Sequence, residues 1–398
     1  MTSTTVAARS RPAARSVPAF ARPRAAAHLA LGSGTLLILL GLVMVLSASS
    51  VASYAASGSS FSIFEKQALW FAFGLPGLFL GLRLPTRISR NLGYPLLVAA
   101  IVLLVAVLVP GVGRNVYGAT RWIGVGPLQL QPSELAKVAL VIAGADVMAR
   151  KQKRLNELRH LLVPLVPAAV LLILLVIAEP DMGTATVLVV ILLALLAFAG
   201  APRKVFFWTF SGLAGAFGLL AVVEPYRLAR LTSFADPFQS ASAGGYQTVQ
   251  GIYAIASGGW WGLGLGASRS KWGYLPNQYT DYIFAVIGEE LGLLGGLVVI
   301  GLFAVLGYAG FRIAREAREP FQQMVAGGIT AWIVGQALIN MCAVVGLLPV
   351  TGVPLPFVSF GGSSLIFTMF ALGLLGAVGR ETAAASARRR PSRRNTSR

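Results

Sequence analysis

Apolar runs recur along the chain with short polar intervals between them. The first covers about Leu29 to Val51, and others centre on residues 68–82, 94–109, 134–149, 161–178, 184–200, 205–223, 282–309, 322–346 and 363–379. A helix rising about 1.5 Å per residue crosses the hydrocarbon of a bilayer in about 20 apolar residues. The pattern therefore predicts an all-α fold, a polytopic membrane protein with about ten transmembrane helices in a single bundle. One interval is out of proportion to the rest. Between the seventh and eighth predicted helices, Gly244 to Gly292 is long, polar and glycine-rich, and it predicts a large outer loop that runs into the next span.

The ends of the chain differ from its middle. Residues 1–27 are Ala, Pro, Ser and Arg with no acid, and residues 381–398 are again low in complexity and basic. Both are expected to be basic cytoplasmic tails, the first disordered, around one transmembrane domain at 28–380. The N-terminal tail is like the basic region of a signal peptide. The run after it is long enough to span the bilayer, so it is read as a retained first helix. No internal repeat is evident.

Composition agrees with the pattern: the 398 residues are 56% hydrophobic and 12% charged, with a mean hydropathy of +0.73. These values exclude a soluble globular domain. The single cysteine, Cys342, excludes an internal disulfide, and His28 and His160 are too few for a Cys/His metal site or a Ser/His triad. Carboxylates, lysines and arginines must carry any chemistry. The net charge of +19 would suit nucleic acid, but its placement argues otherwise. Most of the 33 basic residues fall in the two tails and in four alternate intervals, which hold Arg83, Arg87 and Arg90; Arg150 to Arg159; Arg203 and Lys204; and Arg312 to Arg318. That bias predicts that both termini are cytoplasmic and that no nucleic acid is bound.

Four stretches carry candidate chemistry. In Gly118 to Lys137, Gln131, Pro132 and Ser133 predict a helix start, and Glu134 and Lys137 then share one helical face, either as a local ion pair or beside a substrate path. Arg121 lies in the same outer loop. The turn AEPDMGT, 178–184, holds Glu179 and Asp181 and reads as a connector. Three prolines and three glycines deny regular helix to Leu347 to Ser364, a segment of re-entrant character. Its Ser363 and Ser364 suit binding of an anionic group better than nucleophilic attack.

The fourth is the outer loop, with Gly264 among glycines that admit close approach to the main chain, Arg269 and Lys271, and tryptophans suited to a lipid headgroup boundary. Asp281, at the loop's end, is equally readable as a helix N-cap and as a catalytic group. Glu289 and Glu290 lie roughly 12–14 Å deeper on an ideal helix, so they form no glycosidase-type pair with it. They are expected to face the bundle interior and hold backbone or basic partners.

The succession MVLSASS, ATRWI, QPSELAK, EPDMGT, GYQ, GGWWGLGLG, LPNQYTDYIFAVIGEELG and GLLPVTGVPLPFVSFGGSS resembles the SEDS family (shape, elongation, division and sporulation) from about Leu36 to Leu375. The run GLGLGASRSKWGYLP is more similar to the division branch than to the elongation branch. The resemblance implies a peptidoglycan glycosyltransferase of the bacterial cytoplasmic membrane that polymerises lipid II on the outer face, for septal synthesis. It implies Asp281 as the catalytic residue and Glu134 with Lys137 as a functional pair. It also implies a class B penicillin-binding protein as partner, with associated divisome or elongation proteins.

Asn277 and Tyr279 depart from the Glu and His usual in the family's LPExHTD pattern. For an inverting displacement Asp281 would act as base, with Arg121, Lys137, Arg269, Lys271, backbone amides or a phosphate-bound Mg or Mn ion meeting the pyrophosphate. No organic cofactor is expected. The alternative is a flippase for lipid II, or a transporter of a polyprenyl-linked glycan, that makes no bond.

Overall fold

The structure is a computed structural model and describes residues 23–116, 119–125, 128–151, 165–223, 234, 236–240 and 244–388. The helices are α1 (Pro23–Ser57), α2 (Ser62–Arg83), α3 (Thr86–Leu108), α4 (Pro132–Lys151), α5 (Leu165–Ala178), α6 (Met182–Phe198), α7 (Arg203–Val223), α8 (Tyr246–Gly258), α9 (Ile283–Glu316), α10 (Pro320–Val344) and α11 (Ser363–Arg388). Five of them, α1, α3, α9, α10 and α11, are long and apolar enough to cross a membrane, and α5 and α6 are shorter apolar helices. The chain is a helical, multi-pass membrane protein.

Local sequence explains where several helices begin and stop. Pro85 holds φ −60° and ψ 141° just before α3, and Leu84, restricted by the proline after it, is extended. Pro132 and Pro320 open α4 and α10, where the missing amide costs nothing. Asp181 caps α6 by accepting from Thr184 N at 3.1 Å.

Packing depends on glycine where backbones meet. A Cβ at Gly81 of α2 would stand 2.4 Å from Phe370 O, and one at Gly373 of α11 would stand 2.2 Å from Leu78 O, so α2 and α11 lie backbone to backbone. Met44, Leu104, Leu140, Leu188 and Trp332 are fully buried in the common core. At one end of the bundle, Arg90 and Arg150 grip the buried carboxylate of Asp146. There Glu381 accepts from Thr86 Oγ1 at 2.6 Å and Gln322 Nε2 at 2.8 Å, tying α3, α10 and α11 together. The other end carries the candidate site.

The structure differs from the expectation in four places. The segment before α4 is a small antiparallel sheet, β1 (Arg114–Val116), β2 (Ala119–Val125) and β3 (Leu128–Leu130), within an otherwise helical protein. The interval expected as one outer loop contains α8, with Gly251 and Gly258 tight against α9. α1 begins at Pro23 and α11 continues to Arg388, so helix extends into both stretches read from sequence as basic tails. Finally, α9 is not one helix: Gly292 has φ 69° and ψ −168°, and the chain kinks there. The tail at 1–22, the stretch 152–164 and the residues around Glu224 to Ser233 lie outside the described residues.

Candidate active site

Asp281 sits in a turn just before α9, and the N-cap of that helix is Tyr282, with no side-chain cap bond. The capping reading of Asp281 is thereby corrected: the helix starts one residue later than a cap at Asp281 would place it. Asn277 takes φ 56°, a conformation asparagine tolerates, and receives the amides of Thr280 and Tyr282 on its carbonyl, each at 3.1 Å. The turn is pinned from the segment before α11. Ser359 Oγ donates to Thr280 O at 2.6 Å, Phe360 N donates to Tyr279 O at 2.9 Å, and the rings of Tyr279 and Phe360 meet edge to face at 5.9 Å. From α10, Asn340 Nδ2 donates to Asp281 O at 2.7 Å.

The carboxylate of Asp281 is half-buried and lies beside Gly352, whose absent Cβ would be 3.7 Å from Oδ2. Gly352 has φ 71°, so glycine suits its conformation. The segment 353–360 is buried and non-helical. Several of its carbonyls are therefore paired otherwise than in a helix: Asn340 Nδ2 donates also to Val353 O at 2.7 Å, Gln336 Nε2 donates to Pro354 O at 2.9 Å, and Ser359 N donates to Leu355 O at 3.0 Å.

Gln336 links this segment to the pair on α4. Lys137 Nζ lies 2.8 Å from Glu134 Oε1 and 3.0 Å from Gln336 Oε1, and 5.2 Å from the centre of the Trp332 ring. Trp332 Nε1 donates to the same Gln336 Oε1 at 3.0 Å. Glu134 and Lys137 are both buried, so their charges are neutralised by each other rather than by water. Gln336 and Asn340, one turn apart, form a polar ladder from Lys137 to the Asp281 turn. The sequence reading passed over both, although two amides four residues apart in an apolar span are a usable signal.

The remaining candidates divide by what they hold. Ser363 Oγ accepts from Gln131 N at 3.0 Å, joining α11 to α4, and Ser364 is buried beside it. Trp70 and Trp122 flank Gly362 just before these serines, 3.6 Å and 3.9 Å from its absent Cβ. Arg121, on β2, donates to Glu179 O at 3.2 Å and to Pro180 O, and lies 3.8 Å from Asp181. Lys271 is buried and donates to Gly266 O, whereas Arg269 is exposed.

Glu289 and Glu290 bind main chain. Glu289 accepts from Ser268 Oγ at 2.6 Å and Arg269 N at 2.9 Å, and Glu290 from Ser47 Oγ at 2.6 Å and Ser268 N at 3.3 Å. The kink above them is spliced to the loop, with Leu263 N and Gly264 N donating to Glu289 O and Glu290 O, and Leu293 N and Leu294 N donating to Gly259 O and Trp260 O. Gly264, at φ 100°, belongs to this splice.

Glu179, in the turn between α5 and α6, is fully buried, and neither of its carboxylate oxygens has a partner. Burial, and then the neighbouring Asp181, push its carboxyl up to about 8, against a smaller downward pull from Arg121. Among the described residues, no three His, Cys, Asp or Glu side chains come together to hold a metal ion. The Mg or Mn ion considered from sequence is one bound to the substrate's phosphates, which needs no such cluster.

Fold and site together define a class: a polytopic membrane protein whose spans surround a half-buried aspartate, pinned by a buried non-helical segment and backed by a lysine–amide ladder. Within that class the chain belongs to the FtsW/RodA/SpoVE family, whose model, described as "Cell cycle protein", matches residues 27–384. It is 43% identical over 354 residues to the probable peptidoglycan glycosyltransferase FtsW of Mycobacterium tuberculosis, covering 89% of this chain and 68% of that one. It is 40% identical over 342 residues to the stage V sporulation protein E of Bacillus subtilis, covering 85% and 93%.

Two solved structures share the fold. A chain of a peptidoglycan synthase complex, described for structural coordination of polymerization and crosslinking, aligns with a TM-score of 0.74 at 28% identity, over 89% of this chain and 97% of that one. The rod shape determining protein RodA of Thermus thermophilus aligns with a TM-score of 0.65 at 27% identity, over 88% and 96%.

Proposed function

We infer that the chain is a peptidoglycan glycosyltransferase that polymerises lipid II into glycan strands for septal synthesis, with Asp281 as general base. The observation that carries the assignment is accessibility. Glu134, Glu179, Asp181, Glu289 and Glu290 are all buried, whereas Asp281 is half-buried in a turn held by Asn340, Ser359 and Phe360. A base must reach its hydroxyl and be held still when it does.

In the reaction, Asp281 takes the proton of the acceptor 4-hydroxyl as that oxygen bonds to the anomeric carbon of the donor sugar. The bond from that carbon to undecaprenyl pyrophosphate breaks on the opposite face, and the anion leaves with its electron pair. One displacement inverts the centre, so no covalent nucleophile is needed. Of the four cations considered from sequence, Arg121, Lys137 and Lys271 donate to protein groups, and we assign the exposed Arg269 to the departing pyrophosphate.

The site faces the outer side of the membrane in this reading, because Arg83, Arg90, Arg150, Arg203, Arg315 and Arg380 gather at the opposite end of the bundle. A class B penicillin-binding protein would crosslink the strands. The test is polymerisation in detergent, where moving a lipid across a bilayer has no meaning. Purified protein with that partner should turn lipid II into glycan strands. Intact lipid II after incubation, with transbilayer movement in vesicles, would favour the flippase instead.

A further inference from the structure

At the end of the bundle away from Asp281, the first turns of α1 and the last turns of α11 border a cavity of about 320 Å³. Its lining is Arg24, Ala27, His28, Arg380 and Ala384. Three basic side chains border it with no acid among them, and the surface turned into the cavity is mainly carbon. The helices are held close here, since a Cβ at Gly379 would come 2.9 Å from Ala27 Cβ and 3.0 Å from Ile313 Cδ1. Arg380 is fixed by donating to Leu82 O, the carbonyl just before the exposed Arg83.

The nearest acid in sequence is already committed. Glu381 follows Arg380, but its carboxylate accepts from Thr86 N, Thr86 Oγ1 and Gln322 Nε2. The adjoining ends of the chain supply none either: residues 1–22 and 389–398 contain arginines and no Asp or Glu. The positive charge at the cavity therefore has no anionic counterpart in the adjoining sequence. The volume is at the lower end of the roughly 300–1,000 Å³ typical of ligand sites and many times the share of a single water.

We propose that this cavity binds the headgroup of an anionic phospholipid from the leaflet bordering this end. Arg24, His28 and Arg380, all exposed, hold its phosphate at the rim, and its glycerol and upper chains enter the apolar interior on Ala27 and Ala384. A basic pocket between transmembrane helices beside a polybasic segment suits such a headgroup, because the charge meets phosphate while the apolar floor stays out of water. The site is separate from the polymerising site and stands whether or not Asp281 is the base.

The test uses the full chain in detergent, titrated with cardiolipin and, in parallel, phosphatidylcholine, with bound lipid counted by native mass spectrometry. Cardiolipin should be retained and phosphatidylcholine should not. Arg24→Gln should weaken cardiolipin binding about fivefold, the loss of roughly one surface charge's attraction to an anionic headgroup. Ala384→Leu, which fills the cavity and leaves every charge in place, should weaken it too. Arg203→Gln with Lys204→Gln, at the same end but outside the cavity, should not.

Equal cardiolipin binding by the wild type, Arg24→Gln and Ala384→Leu would overturn the proposal, as would an equal loss in the Arg203/Lys204 variant. Displacement of cardiolipin by millimolar inorganic phosphate would also overturn it, in favour of a free-anion site.

Discussion

A carboxyl group buried with no hydrogen-bond partner is expensive when charged, and Glu179 shows how the protein avoids that cost. With its carboxyl raised to about 8, Glu179 holds a proton in the folded state at neutral pH that the unfolded chain releases near 4.5. Stability is then highest below 4.5 and falls as pH rises from there to about 8, above which this group adds no further slope. Glu179→Gln removes the titration while keeping shape. Its melting temperature in detergent should exceed the wild type's at pH 8.5, with the gap closing towards pH 5. A gap that does not vary with pH would show that Glu179 is charged in the folded protein.

The sequence made its neighbours visible to different degrees. Glu134 and Lys137 were legible as a pair because three residues on a helix put them on one face. That Gln336 shares the lysine was not, because a partner 199 residues away has no local signature. Asp281 was legible as a group at a span's start, but whether it capped the helix depended on where the turn ended, and positive φ at Asn277 delays that start.

Among the elements, α9 is the one on which the site most depends. Its 34 residues would extend about 51 Å as a straight helix, more than the roughly 30 Å hydrocarbon of a bilayer. The break at Gly292 divides it, and the loop at 259–264 supplies the hydrogen bonds that the break leaves open. Gly292→Ala would put a Cβ 2.4 Å from Gly262 N and 2.5 Å from Trp260 O at φ 69°. It should cost about 1–3 kcal/mol or more through backbone strain and the clash, seen as a lower melting temperature and faster proteolysis of the 259–274 loop. An unchanged melting temperature and cleavage rate would mean that α9 can straighten.

Hydropathy could not show this break, since a glycine in an apolar run reads as helix and its partners come from a distant loop. The same holds for α8, whose 13 residues include two glycines and polar groups. The short strands before α4 are fixed by pairing rather than by local periodicity.

The whole molecule separates its chemistry by end. One end gathers arginines around Asp146 and the cationic cavity, and the other gathers buried acids around one half-buried aspartate. The sequence showed this polarity most plainly, because charge alternating between successive intervals needs no tertiary contact to be read. The central claim is that Asp281 removes the acceptor's proton, and the direct measurement is glycan synthesis from lipid II by purified Asp281→Asn protein with the class B penicillin-binding protein proposed as its partner. Asparagine preserves the size of the side chain and cannot take up the proton. A protein that expresses, melts like the wild type and still binds its partner should lose about 10² to 10⁴ in rate. Glycan strands made by that same protein at a rate within a few fold of the wild type would contradict the account.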